Sequence, residues 1–465
     1  MLRKLVYAEM VVSETKPSFF RQKLELLLLA EDQETLAPVT ELVARNHISF
    51  RHVSSLQNLK TFESQFGRPQ ILLIVQGKKE TLAEFSAKID ELLQVFRRSS
   101  IVTVLQDSSV TKALEGTMNP RVFPLTQREF RETAKLEYIC LARTRSLYFD
   151  ITLKDLYPMT MIPFTAYVRM TLNQRYLAVI FRKVLLQEGK YQRLEAVSAL
   201  HVTYDDVDPF VSYVKEFNDT SGNGLKRRVR ALFLGVVSKT MALNNYLIFD
   251  LRTLEEPEVQ ILYNNLEEAA KDLLEVLALG DDTWDVLREA SSNELFGFWR
   301  APWVGVYAAM ICAKSGQGNA LNALMAGLLT DVGLLDISRE VYRAYLSQGA
   351  EALVESEDFI THPMASLNRC LAKKLPLSEE LKTLIVCTHE QANQKGFPNQ
   401  VPADKIPVEA MAIQFAEIID YGVRTTLKDT GVSFRFLKEK IWEKEEGRKE
   451  AFSAQFLAWI SEALL

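Results

Sequence analysis

Only two of the five histidines, His362 and His389, fall after residue 225. His389 sits in Thr388-His389-Glu390-Gln391-Ala392-Asn393-Gln394-Lys395-Gly396-Phe397-Pro398. Imidazole and carboxylate together hold divalent metals, and such metals activate water and neutralise an attacked phosphate. Gly396 and Pro398 set a turn, because Gly reaches backbone angles closed to other residues and Pro fixes one. His362 is followed directly by Pro363. The cysteines, Cys140, Cys312, Cys370 and Cys387, are sparse and make no Cys-x-x-Cys pair. They read as small buried apolar residues in a reducing cytoplasm.

The elements that position these residues divide into segments. At 465 residues the chain is long enough for about three domains. Apolar residues make up 48% and charged residues 25%, with a net charge of −5. That balance gives no global drive toward nucleic acid. The cluster Lys226-Arg227-Arg228 with Arg230 reads as a solvated helix face. The longest apolar run, Ala301 to Ala313, is too short to span a membrane, so no span is expected. Glu9 and Glu14 interrupt any signal-peptide core, and a cytoplasmic location is expected.

Residues 21–127 alternate short apolar runs with helical stretches. Leu24 to Ala30, Ile71 to Val75 and Ile101 to Leu105 are such runs, and they predict a parallel sheet covered on both faces. This order resembles a response-regulator receiver of two-component systems. The resemblance places Glu31-Asp32 where receivers hold acidic magnesium ligands. The phosphoacceptor position reads Ile74-Val75-Gln76, and an amide cannot attack phosphorus. The Lys-Pro at the end of strand five has become Leu125-Thr126 after Pro124. A pseudo-receiver is expected, with an unrelated small α/β domain as the alternative. Residues 128–146 predict a linking helix, and 147–217 a small β-rich domain of alternating aromatic and β-branched residues. Asn218 to Gly224 reads as a linker, and 225–465 as all-α.

The segment around His389 resembles the signature of the HD-GYP phosphodiesterases, His-His-Glu-x-x-Asp-Gly-x-Gly-Tyr-Pro. Four further motifs follow in family order. The first, a His near a helix start, corresponds to Arg300-Ala301-Pro302-Trp303-Val304, which has none. His-Asp-x-Gly-Lys corresponds to Thr330-Asp331-Val332-Gly333-Leu334, His-Pro is intact as His362-Pro363, and Ala-Asp-x-x-Asp-Ala reads Ala416-Glu417-Ile418-Ile419-Asp420-Tyr421. The resemblance implies an HD-domain helical bundle whose relatives hydrolyse cyclic di-GMP at a centre of two or three metals. Thr330, Leu334, Thr388 and Asn393 depart from that pattern. Thr330 and Thr388 replace metal-binding His, and Leu334 replaces a Lys that holds substrate phosphate.

A catalytically inactive scaffold or effector in bacterial cyclic di-GMP signalling is therefore expected, with no catalytic residue. One alternative is a residual metal-dependent phosphodiesterase or phosphohydrolase. It would hold a single Fe, Mn or Zn on Asp331, His362, His389 and Glu417. Against this stands no cofactor at all, with His362 buried at a helix start and Asp331 paired locally. The other alternative is an HDOD-like interaction module without nucleotide. Arg369, Arg424 and Lys428 are candidate cyclic di-GMP contacts or a solvated face. Gly396, Phe397 and Pro398 form either a purely structural turn or a docking loop for GGDEF-domain proteins. The segment Phe452 to Leu465 is apolar enough to pack internally or to form a homodimer.

Overall fold

A computed structural model describes residues 24–30, 35–46, 48–55, 69–96, 99–106, 121–144, 148–170, 175–197, 199–217, 219, 221–249, 254–279, 300–430 and 450–464. Its N-terminal unit is a sheet of five parallel strands: β1 (Leu26–Leu29), β2 (Phe50–Val53), β3 (Ile71–Val75), β4 (Ser100–Leu105) and β5 (Val122–Thr126). The strand order is β2-β1-β3-β4-β5, a doubly wound order. Alternation along the strands splits the sheet between two cores. Leu26, Leu28, Ile71, Leu73, Val102 and Val104 enter one. Leu27, Leu29, Leu72, Ile74, Ile101 and Leu105 enter the other. Helix α1 (Leu36–Arg45) buries Val39 and Leu42 in the first. Helix α2 (Leu82–Val95) buries Phe85, Ile89 and Leu92 in the second, and a Thr81–Glu84 capping box starts it. Pro124 is tolerated because β5 is an edge strand.

The expected single linking helix is two helices, α3 (Gln127–Glu132) and α4 (Lys135–Thr144). They break at Thr133, whose extended backbone forms a β-bridge with Ser338 of the C-terminal unit. The middle unit holds an antiparallel sheet, order β6-β11-β8-β9, of β6 (Tyr148–Ile151), β8 (Ala166–Met170), β9 (Arg175–Ile180) and β11 (Leu200–Thr203). A separate ribbon pairs β7 (Met161–Ile162) with β10 (Val184–Leu185). Two helices complete the unit, α5 (Glu188–Leu194) and α6 (Val207–Glu216).

The expected linker Asn218 to Gly224 is shorter in the structure. Helix α7 (Gly222–Phe249) begins inside it, and Ser221 accepts the Gly224 N–H through its hydroxyl. This helix is long and apolar enough to cross a membrane by length and composition, contrary to expectation, yet 78% of the stretch is buried inside the protein. Arg230 on α7 makes a buried ion pair with Asp155 of the middle unit. The remaining helices are α8 (Glu256–Leu277), α9 (Arg300–Ser315), α10 (Ala320–Leu329), α11 (Arg339–Gln348), α12 (Glu357–Ile360), α13 (His362–Ala372), α14 (Glu379–Cys387), α15 (Val408–Thr430) and α16 (Ala454–Leu464). A 3-10 turn, Thr330–Leu335, follows α10. Helix α9 is the central element, packed against α10, α15 and α16. The C-terminal segment packs internally: Phe452 and Phe456 meet Phe415 of α15 edge-on.

Candidate functional site

Three carboxylates and two histidines converge where α9, the Thr330–Leu335 turn, α13, α14 and α15 meet. Arg300 opens α9 and is the group that unites the carboxylates. Its Nη2 lies 2.9 Å from Glu417 Oε1, its Nη1 3.4 Å from Asp331 Oδ2 and its Nε 3.4 Å from Asp420 Oδ2. The guanidinium also lies over the Tyr345 ring, 4.4 Å from its centroid. Arg300 is only 6% exposed. Burial alone would weaken its hold on the proton. The carboxylates of Asp331, Glu417 and Asp420 outweigh that cost and hold the proton more tightly than in water.

The histidines meet edge to face beside this nest, with ring centroids 4.9 Å apart. His362 Nε2 and His389 Nε2 are 3.2 Å apart, and His362 Nδ1 is bonded to the Phe359 carbonyl. A carbonyl only accepts, so His362 donates through Nδ1 and its Nε2 accepts from His389. That leaves the His389 Nδ1 lone pair facing Glu417 Oε2 at 3.6 Å. Both imidazoles are neutral, so this close approach is no ion pair. Burial, with Arg300 nearby, lowers His389 to about 3. Burial, the neighbouring His389 and Arg300 push His362 well below its ordinary value. Burial raises the proton affinity of Glu417 despite Arg300.

The departures from the family pattern have local explanations. The Thr330 and Thr388 hydroxyls each turn back to a carbonyl three residues earlier, Gly327 and Ile385. Leu334 joins Phe359 and Phe397 in an apolar cluster. Asn393 accepts the Lys395 N–H at 2.9 Å and closes a local turn. Gly333 persists because a Cβ there would stand 2.3 Å from the His362 carbonyl oxygen. Its N–H donates to Ser366 at 2.7 Å, which ties the turn to α13.

The signature segment is a wrapped loop. Glu390 is buried and accepts the N–H groups of Asn399, Gln400 and Val401 at 2.6, 3.1 and 3.1 Å. A Cβ on Gly396 would meet the Gln391 nitrogen at 2.3 Å. Phe397 points inward, stacked on His389 with ring centroids 4.8 Å apart. Exposed positions of the loop are instead Gln394, Lys395, Asn399 and Gln400.

Sequence reasoning thus located Asp331, His362, His389 and Glu417 in one place but missed Arg300. The available signal was a lone cation at the head of the apolar run Ala301 to Ala313, since a buried Arg requires partners. Among the candidate nucleotide contacts, Arg369 is engaged: it pairs with Asp336 and donates to the Leu247 carbonyl. Arg424 and Lys428 lie on α15, with side chains outside the described residues.

A guanidinium occupies the space between the carboxylates, carries its charge permanently and offers no coordination position to water. Among the described residues no three His, Cys, Asp or Glu side chains are arranged to hold a metal ion. The residues therefore do not fit the metal centre that the sequence resemblance implies. The cavity beside Arg300 and Asp331 measures about 30 Å³, room for about one water.

The corresponding position in the N-terminal sheet is also filled by protein contacts. Gln76, at the end of β3, accepts the Gln106 N–H at 3.1 Å, and its carbonyl accepts from the Gln106 amide at 2.8 Å. Gln76 Nε2 donates to the Glu80 carbonyl at 3.0 Å. Glu31 and Asp32 lie outside the described residues.

Residues 286–426 match the family model of the HD domain, and this part of the chain is an HD domain. A solved structure described as an HDG"Y"P protein from Bdellovibrio bacteriovorus is similar over 68% of this chain and 98% of its own, at 16% identity and a TM-score of 0.42. No curated protein matches.

Proposed function

We propose that this chain is a catalytically silent HD-GYP-type protein that works by contact with other signalling proteins in cyclic di-GMP signalling. The observation that carries this reading is Arg300, whose guanidinium stands among Asp331, Glu417 and Asp420. The assignment to cyclic di-GMP signalling rests on the five ordered motifs. The Gln76–Gln106 contacts support a receiver-like unit that docks without being phosphorylated. A physical route joins the two units. Arg339 of α11 donates to the carbonyls of Phe130 and Thr133 at 2.9 and 3.3 Å, Lys135 pairs with Asp336 at 2.9 Å, and Arg343 pairs with Glu41 of α1 at 2.8 Å. Asp336 immediately follows the turn that carries Asp331. A partner on the sheet domain would press on the segment beside the Arg300 nest.

The test is metal analysis of the purified chain together with a cyclic di-GMP hydrolysis assay in added manganese or iron. Substoichiometric metal and no turnover are expected. Turnover abolished by chelator would overturn the reading in favour of a residual phosphodiesterase. For docking of GGDEF-domain proteins by the loop, the side chain to change is Lys395, since Phe397 faces inward. Lys395→Glu is expected to weaken a GGDEF pull-down, and unchanged capture would remove the loop from the interface.

A further inference from the structure

Exposed apolar side chains concentrate in one stretch of the chain. Seven of the twelve large apolar side chains found exposed among the described residues fall between Met159 and Leu185 of the middle unit. Scattered exposed apolar residues are ordinary, but such a concentration is not. The ribbon explains part of it. Leu185 lies opposite Met161 across the β7–β10 pair, so the two share a face, and Met159, with φ of 59°, is exposed in the turn that leads into β7. Met161 is 57% exposed and Phe181 53%. Lys183, with φ of 60°, turns the chain between Phe181 and Val184. Five successive residues, Phe181-Arg182-Lys183-Val184-Leu185, thus set two cations among three exposed apolar side chains.

Charge is equally local. Residues 159–193 hold six lysines and arginines against one acid, Glu188, a balance of +5 in a chain whose net charge is −5. Arg182 shares its guanidinium with Asp206 at 2.6 Å. Lys190 lies 5.8 Å from the centre of the exposed Phe181 ring.

We propose that this ribbon and the adjoining turn dock the protein on an anionic lipid surface. Lysine is depleted from the cores of protein interfaces, so Lys183 and Lys190 beside the exposed apolar side chains argue against a protein partner. A bilayer surface takes this composition directly. Apolar side chains enter the acyl boundary while long cations extend to the phosphates, and no matching shape is required. Each lysine or arginine near such a surface strengthens binding, and the attraction falls off within a Debye length.

The experiment is co-sedimentation of the full chain with vesicles of phosphatidylcholine alone or mixed with phosphatidylglycerol, at low and high salt. Binding to the mixed vesicles is expected at low salt, at least about tenfold tighter than to phosphatidylcholine. Lys183→Glu with Lys190→Glu, and separately Met161→Asp with Phe181→Asp, are each expected to weaken it at least about tenfold. Met161, Phe181 and Lys183 are exposed and Lys190 is half-buried on α5, so unchanged thermal midpoints will show that the variants fold. No binding to the anionic vesicles, or binding that neither double variant alters, overturns the proposal. A concentration-dependent dimer abolished by Phe181→Asp also overturns it, because the face would then belong to a second copy.

Discussion

The Arg300 nest and the Gln76–Gln106 contact occupy equivalent places in two domains, each where the resemblance would locate phosphate chemistry. They are built on opposite principles. At Gln76 the charge is absent, and neutral amides satisfy one another and nearby backbone. In the HD domain three carboxylates remain, and a buried guanidinium balances them. Buried carboxylates cannot stand without a counter-charge, whereas an amide at a strand end needs only hydrogen bonds. The two sites should therefore respond very differently to single substitutions.

The largest effect is expected at Arg300. Arg300→Met leaves the buried Glu417 and Asp420 and the half-buried Asp331 without a cation, which costs about 3–5 kcal/mol. Chemical denaturation of the full chain measures it. Arg300→Lys should recover part of the loss, because it restores the charge but not the three-way fork. A loss below about 1 kcal/mol for the Met variant would mean that the carboxylates protonate or hydrate at no great cost, and the contrast with Gln76 would fail.

Next comes Glu390, which holds the signature loop. Glu390→Gln turns an amide N–H toward backbone N–H groups and removes charge-assisted bonds, for a cost of about 2–3 kcal/mol. Proteolysis should then cut between Gln394 and Gln400 before the rest of the domain opens. An intact loop with unchanged stability would show that Gly396 and the packing of Phe397 suffice.

Much of this architecture was legible in the sequence, and the exceptions are instructive. The runs of Leu, Ile and Val at 24–30, 71–75 and 101–105 are apolar on both faces, so they announced a covered parallel sheet. Asp331, His362, His389 and Glu417 were legible because motif order survives side-chain change. Arg300 was not, because its importance comes from residues over 100 positions away on α15. The break at Thr133 was equally hidden: it depends on the Ser338 bridge and on the Arg339 bonds to Phe130 and Thr133. The inward direction of Phe397 follows from Phe359 and His389, which no local pattern reveals.

A pH experiment separates the two sites without mutation. His389 titrates near 3 in the folded chain against 6.5 when unfolded, and His362 is displaced the same way. As pH falls below about 6.5 the unfolded chain binds protons that the folded chain refuses. This stability is full above 6.5 and is lost progressively toward 3. Glu417, raised by burial, works in the opposite direction but is one group against two. A net loss of about 1–2 kcal/mol between pH 7 and 5.5 is expected, and His389→Phe should reduce the slope. A flat profile would mean that the histidines open to solvent, and the nest would lose its sealed character.

The smallest effect is expected at Gln76. Gln76→Ala removes the bond to the Gln106 N–H and the donor to Glu80, each a neutral hydrogen bond worth about 1 kcal/mol, and because Gln106 is exposed and Glu80 half-buried, water replaces some of it. A total loss of about 1 kcal/mol is the expected reading by denaturation. Gln76→Glu sharpens the point. It keeps the acceptor for Gln106 but sets a carboxylate against the Glu80 carbonyl, and Glu80 itself pairs with Lys88 at 3.3 Å. A destabilisation near that of Arg300→Met would show that the strand end is as tightly enclosed as the HD nest. An effect near 1 kcal/mol would mean that water reaches the partners Gln76 leaves behind, so that chemistry can be absent with little consequence for the fold.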